Sequence, residues 1–250
     1  MIDVVVRSID ENTICKESLT QKGNARLARE SFALKALDES PYTPKLISHS
    51  DNGETVSIKM SMVYGQSAKE WLNFEDEYDI TPISWHKAKK RLLQYAITEM
   101  DLLGRNAIYR DMNLAHLIFS EDKASLVDHE ATIINSGESE WRQDDFTGTW
   151  ETMAPEEFPE HTVLSSRTAT YRFAIFAHLV LAGKLPFARD RHSRSKAYQW
   201  RRTHSPRIDV AFSRPVRKVF MSALSIKKDT RHIDPMSFFL AVEQAYELSK

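Results

Sequence analysis

Two short polar runs near the middle of the chain combine residue types that could bind a metal ion and orient a phosphate acceptor. Residues 109–116 read YRDMNLAH, and LVDHEAT begins ten residues later. They place Asp111, His116 and Asp128 between apolar segments. Carboxylate oxygens are the ligands that Mg²⁺ prefers, and phosphoryl transfer needs a metal ion and an acidic group beside the acceptor oxygen. A surface loop could carry the same mixture by chance, so the surrounding elements must decide between the two interpretations.

A further carboxylate, Glu30, is predicted to lie against the core of the N-terminal part. Helical spacing over residues 24–37 puts Glu30 in the same stripe as Leu27 and Leu34. A carboxylate that faces a core is costly unless a cation meets it, and Lys16 in the strand-like run TICKESL is the candidate. The alternative is that Glu30 lies at the edge of the stripe and reaches water.

The elements that must position these residues follow a simple order. Apolar and β-branched runs predict strands, and helical spacing that stops at Gly104 predicts the helix before YRDMNLAH. The predicted strands cover residues 2–8, 13–19, 43–49 and 55–64, followed by HLIFS and ASLVD; the predicted helices cover 24–37, 88–103, 166–182 and two or three segments after PRIDV. Strands therefore dominate the first part of the chain and helices the rest.

The composition is that of a protein with an ordinary core and surface. Of 250 residues, 42% are hydrophobic and 28% charged, which suffices for one domain with a real core. Net charge is −1, so bulk electrostatics favours neither a nucleic acid nor a membrane as partner. The single cysteine, Cys15, excludes an internal disulfide framework. The sequence shows no signal-peptide pattern and no apolar run near the ~20 residues of a spanning helix, so we expect a cytoplasmic protein, with secretion into a host cell left open.

The sequence resembles the protein kinase-like superfamily over nearly its whole length. TICK matches the strand that carries the ATP-anchoring lysine, Lys16, and Glu30 matches the glutamate that pairs with it. YRDMNLAH resembles the catalytic loop H-R-D-L-x-x-x-N, and LVDHE resembles the D-F-G element. The resemblance implies one two-lobed, kinase-like α+β domain over residues 1–250, with a reduced N-lobe over 1–65 and a helical C-lobe over 66–250.

The resemblance also implies ATP and Mg²⁺ as cofactors. Asp111 would accept or orient the proton of the acceptor hydroxyl, Asp128 would bind Mg²⁺, and Lys16 held by Glu30 would fix the phosphates. Met60 falls where the family places the residue at the back of the adenine pocket. A methionine on an apolar strand face can equally be plain core.

Three positions depart from the family pattern. His116 replaces the metal-binding asparagine and Asn113, a further catalytic candidate, replaces the usual lysine, an arrangement similar to that of lipopolysaccharide core heptose kinases. Since histidine is a poor Mg²⁺ ligand, we expect His116 to be structural or to face a phosphate, with metal binding as the alternative. Ala169 stands where the family has an aspartate that holds the catalytic loop. The loop must then be braced in some other way, or be looser.

The sequence also contains no glycine-rich phosphate loop and aligns from the second strand of the family's N-lobe. The phosphates would lose the backbone N–H groups that such a loop supplies. We therefore expect either weak ATP binding or a partner chain that completes the nucleotide site.

The run GTWETMAPEEF resembles the end of the activation segment of serine/threonine kinases. The resemblance implies that Thr149 bonds to Asp111, that Glu156 pairs with Arg231 of KKDTRHIDP, and that Arg110 is the residue which usually receives an activation-segment phosphate. It therefore favours an atypical serine/threonine protein kinase whose acceptor is a protein. The alternatives are a small-molecule kinase, for example of a sugar, and an inactive pseudokinase that acts as a regulatory binding module.

Overall fold

The chain forms a β-rich N-lobe and a helical C-lobe, as the sequence predicts. The structure is a computed structural model, and it describes residues 2–75, 79–135, 141–142, 148–158, 163–187, 199, 201 and 203–249. Among these residues, no helix combines the length and the apolar character that crossing a membrane requires.

The N-lobe is an antiparallel sheet covered by one helix. The strands lie in the order β1-β2-β4-β3 and are β1 (Val4–Asp10), β2 (Thr13–Ser18), β3 (Leu46–Asp51) and β4 (Val56–Ser61). Helix α1 (Gln21–Ala36) begins after Thr20, whose hydroxyl accepts a hydrogen bond of 3.0 Å from the Gly23 N–H. The strands predicted over residues 2–8 and 13–19 and the helix predicted over 24–37 are thus present, although the helix begins earlier, at Gln21.

The register of this sheet decides which way Lys16 points. Lys16 pairs with Val6 on one side and Ile58 on the other, and paired residues share a face. That face carries the small core of the N-lobe, and Met60, 4% exposed, belongs to it. Lys16 and Met60 therefore both face helix α1 and the C-lobe below it. A contact between Met60 and adenine stays a prediction.

The third strand lies later in the chain than predicted. It was expected over residues 43–49 and instead covers Leu46–Asp51. Pro44 has no N–H to donate to a neighbouring strand, and the N–H of Lys45 donates to the Ser61 hydroxyl at 2.9 Å. Regular pairing therefore begins only after these two residues.

The C-lobe consists of helices and several short strands. Its helices are α2 (Ala68–Trp71), α3 (Trp85–Gly104), α4 (Ser166–Ala182), α5 (Arg214–Ala223) and α6 (Pro235–Glu247). Its strands are β5 (Gln66–Ser67), β6 (Ala107–Ile108), β7 (Leu117–Phe119), β8 (Ala124–Leu126), β9 (Ile133–Ile134), β10 (Trp141–Arg142) and β11 (Val163–Leu164). They form the sheets β5-β7-β8, β6-β9 and β10-β11.

Helix α4 is the buried centre of the C-lobe. Its residues from Thr168 to Leu181 are all buried, which agrees with its nearly continuous apolar sequence. Edge-to-face contacts join Phe173 and Phe176 of α4 to Tyr95 of α3. The helix ends at Gly183, whose φ of +76° is in the left-handed region that favours glycine. A rigid central helix thus lies beneath the segment that carries YRDMNLAH.

A buried histidine in α4 leads to a prediction about pH. His178 Nδ1 lies 2.8 Å from the Lys184 carbonyl, and Nε2 accepts from the Asp209 N–H at 3.3 Å, so the buried ring is held neutral. Burial lowers the pKa of His178 to about 4. The unfolded chain then binds the proton more readily than the folded one. The stabilising effect of His178 is therefore fully present above pH ~6.5 and is lost as the pH falls toward 4. The total loss in the free energy of unfolding is about 3 kcal/mol.

The measurement is the free energy of urea unfolding at several pH values. We expect His178→Gln to show a weaker decline in stability between pH 7.5 and 4.5 than the unchanged protein. The exposed His49 offers a matched control, His49→Gln. An identical pH dependence in His178→Gln and the unchanged protein would contradict the prediction.

Candidate active site

The cation expected to meet Glu30 is present. Lys16 Nζ donates to both oxygens of Glu30, at 2.7 and 2.8 Å. Glu30 is 1% exposed, so the alternative in which it reaches water does not hold. Although burial disfavours the charged form of Lys16, the carboxylates of Glu30 and Asp128 raise its pKa above the ordinary value. The pair fixes helix α1 against strand β2.

The same lysine reaches the metal-binding candidate of the second run. Lys16 Nζ lies 3.1 Å from Asp128 Oδ1. Asp128 has a φ of +63°, a left-handed conformation that costs a non-glycine residue about 1 kcal/mol or more. The N–H of the next residue, His129, donates to Glu30 at 3.3 Å. Backbone strain and this hydrogen bond together direct the Asp128 carboxylate toward Lys16.

Asp111 and His116 of the first run lie beside this pair. Asp111 Oδ1 accepts from the Thr149 hydroxyl at 2.6 Å, and Asp111 Oδ2 lies 3.1 Å from His116 Nδ1. The other ring nitrogen, Nε2, lies 3.6 Å from Asp128 Oδ2. Burial opposes ionisation of Asp111, but its contacts with His116 and Thr149 lower its pKa below the ordinary value. His116 therefore lies between the two carboxylates that the sequence singled out.

These three side chains fit a divalent cation. Ligand atoms of Asp111, His116 and Asp128 all lie within 4.8 Å of one another. The two carboxylates suit Mg²⁺, whereas the imidazole suits Zn²⁺ and related ions better. The site thus offers two ligands of the type that Mg²⁺ prefers and one that it does not.

This mixed set of ligands leads to a prediction for His116→Asn. The substitution supplies a carbonyl oxygen in place of the imidazole, so we expect Mg²⁺ to bind more tightly, by roughly 10-fold, and Zn²⁺ more weakly. Calorimetric titration with each ion measures both affinities. The exposed His49→Asn is the control. Unchanged Mg²⁺ affinity in His116→Asn would show that His116 is not near the bound ion.

Asn113 lies at the surface of the same loop. Its side-chain oxygen accepts from the Ala115 N–H at 2.9 Å, and its own N–H donates to the Asp111 carbonyl at 2.7 Å. These contacts shape the turn between Asp111 and His116. A catalytic part for Asn113 stays a prediction.

A hollow adjoins Lys16 and Asp128. It has a volume of about 330 Å³, near the lower end for small-molecule sites, and Val4, Val6, Arg26 and Glu130 also line it. The cavity is therefore lined by three of the charged groups that the sequence singled out, Lys16, Glu30 and Asp128.

A second ion pair across this cavity was not predicted. Arg26 donates to both oxygens of Glu130, at 2.5 and 2.9 Å, and lies 3.8 Å from Asp3. Glu130 follows Asp128 by two residues, so the pair joins helix α1 to the segment that carries Asp128. The two residues are far apart in the chain, and no periodicity relates them.

Glu156, in the run GTWETMAPEEF, contacts Arg231, the partner that the resemblance implies. Arg231 donates to both oxygens of Glu156, at 2.6 and 2.9 Å, and the Thr168 hydroxyl donates to Glu156 at 2.9 Å. The Arg231 guanidinium also lies 4.7 Å from the centre of the Tyr171 ring. This segment is thereby anchored to helix α4.

Arg110 lies in a different environment from the one that an activation-segment phosphate would need. It is 1% exposed, and its Nε lies 3.5 Å from the buried carboxylate of Glu157. Glu157 also pairs with Arg172 of helix α4. Sequence reasoning missed both Glu157 and Arg172. The available signal was Arg172 itself, a single charged residue inside the apolar run TATYRFAIFAHLV.

The two lobes and the site between them define a protein kinase-like fold. The chain is similar to the solved structure of the Cydia pomonella Granulovirus kinase, PK-1, with a TM-score of 0.71 and 14% sequence identity, over 94% of this chain and 87% of that one. No protein-family model and no curated protein matches the sequence. At this level of identity the likeness shows the fold alone.

Proposed function

We propose that the protein is an ATP- and Mg²⁺-dependent phosphotransferase whose acceptor is a serine or threonine hydroxyl of a protein. The observation that carries this proposal is the convergence of Lys16, Asp111 and Asp128 from three separate parts of the chain. Lys16 and Asp128 line one cavity, and ligand atoms of Asp111 and Asp128 lie within 4.8 Å of each other. Phosphoryl transfer depends on positioning and on neutralising charge, and these groups supply both.

Each residue has a task that its surroundings support. Lys16, fixed by Glu30, binds the phosphates, and Asp128 with its neighbours holds the metal ion. When bound, Mg²⁺ neutralises charge on the transferred phosphate. Asp111, kept ionised and oriented by the Thr149 hydroxyl, accepts or orients the proton of the acceptor.

The protein acceptor is supported by the end of the activation segment. The Glu156–Arg231 pair anchors that segment beside Thr149, and the segment forms the platform for a peptide in kinases of this type. His116 beside Asp111 favours the second candidate, a small-molecule kinase similar to the heptose kinases.

Incubation with labelled ATP and Mg²⁺ tests the proposal. We expect the unchanged protein to transfer label to an acceptor protein. The variant Asp122→Asn, a surface control, should do the same, and Asp128→Asn should transfer none. Label on a small molecule alone would select the second candidate. The pseudokinase would be favoured if the unchanged protein transfers no phosphate and if ATP shifts the melting temperature of neither the unchanged protein nor the two variants.

A further inference from the structure

Helix α4 lacks the family's loop-holding aspartate but supplies an arginine three residues later. Ala169 fills the usual position, and Arg172 lies on the same side of the helix, 1% exposed. Arg172 Nη1 donates to the Tyr109 carbonyl at 2.9 Å. Tyr109 comes two residues before Asp111, so the arginine contacts the catalytic loop directly.

Tyr109 connects this contact to both carboxylates of the site. Its hydroxyl donates to the Val127 carbonyl at 2.7 Å, immediately before Asp128. Its ring packs edge-to-face on His129, with 5.4 Å between the ring centres. A shift of the Tyr109 backbone would therefore move Asp111 along the chain and Asp128 through the hydroxyl.

The arginine is built into a balanced group of buried charges. Arg172 Nε donates to Glu157 Oε2 at 2.6 Å, its Nη2 donates to Oε1, and Glu157 in turn accepts from the Ala154 N–H at 2.8 Å. Burial raises the pKa of the nearby Glu99 to about 7, against an opposing effect of Arg172. An unpaired buried guanidinium would be very costly, so these carboxylates allow one to lie under the loop.

We propose that Arg172 is a positioning residue that braces the catalytic loop in place of the usual aspartate. The direction of the hydrogen bond is opposite in the two cases. Arg172 donates to a backbone carbonyl of the loop, whereas the family's aspartate would accept from a backbone N–H. The inference rests on the proposed phosphotransferase activity only for the expected effect of Arg172 on kcat. The bracing itself is a property of the loop and can be measured without any substrate.

The test compares Arg172→Met with Arg91→Met. Arg91 also donates to a backbone carbonyl, that of Ser120, but lies away from the cavity. We expect Arg172→Met to speed amide hydrogen exchange over residues 109–116 by roughly 10-fold or more and to lower kcat by roughly 10–100-fold, with a much smaller rise in the KM for ATP. Arg91→Met should change neither the exchange of this loop nor kcat.

Two further variants separate bracing from simple loss of folding. Glu157→Gln removes the carboxylate but keeps the contact between Arg172 and the Tyr109 carbonyl, so it should lower the free energy of unfolding yet leave the loop exchange slower than in Arg172→Met. Arg172→Lys keeps the charge and should give intermediate exchange and partial rescue of kcat. Loop exchange as fast in Glu157→Gln as in Arg172→Met would overturn the brace, because exchange would then follow stability and not the contact with Tyr109. If no variant transfers phosphate, the proposed function fails, and the exchange rates still decide this inference.

Discussion

Asp111→Asn is expected to lower the kcat of the proposed reaction by roughly 10²–10⁴-fold while changing the KM for ATP much less. Asparagine can keep the contact with the Thr149 hydroxyl, which now lies 2.6 Å from the carboxylate, but it cannot accept a proton. The substitution therefore removes the chemistry with little change in geometry. Steady-state ATP consumption and phosphate transfer measure the effect.

Thr149→Ser is the matched control for this experiment, because it retains the hydroxyl that orients Asp111. Its kcat should remain close to that of the unchanged protein. If Asp111→Asn kept most of its activity, Asp111 would not be the group that handles the acceptor proton, and the assignment of the whole YRDMNLAH loop would be wrong.

Arg231→Met is expected to reduce the free energy of unfolding by about 3–5 kcal/mol, because it leaves a largely buried carboxylate without its main partner. The side chains of Arg231 and Glu156 are 0% and 11% exposed, and two short hydrogen bonds join them. Urea unfolding with an unchanged m-value would measure the loss.

A double-mutant cycle supplies the control for this second result. Arg231→Met/Glu156→Met should recover part of the loss, since no charge is then left unpaired. Arg105→Met breaks a more exposed pair with Asp101, at 3.0 Å, and should cost only about 0–1 kcal/mol. Equal losses in Arg231→Met and Arg105→Met would contradict the assigned importance of the buried pair.

The order of strands and helices was predictable because its signals are local, whereas the kinase-like fold was implied by the resemblance of several motifs. Alternating and helical spacing indicates this order, and the position of Glu30 in an apolar stripe indicates Lys16 as its partner. Strand bounds were less certain, since the start of β3 depends on how Pro44 and Lys45 are accommodated.

The surroundings of the site were less predictable because they depend on contacts between distant residues. Nothing in the spacing relates Arg26 to Glu130, or places Arg172 under Tyr109. The position of His116 between two carboxylates also required coordinates, since its sequence fits a metal, a phosphate or a structural contact equally well.

The pair between Arg26 and Glu130 has a consequence for how the N-lobe can move. Arg26 and Glu30 are four residues apart on helix α1 and so lie about one turn apart on one side of it. Through Glu130 and His129, each is joined to the segment around Asp128. Two attachment points one turn apart resist rotation of the helix relative to that segment, so a hinge motion that keeps both contacts would carry this helix and the Asp128 segment together.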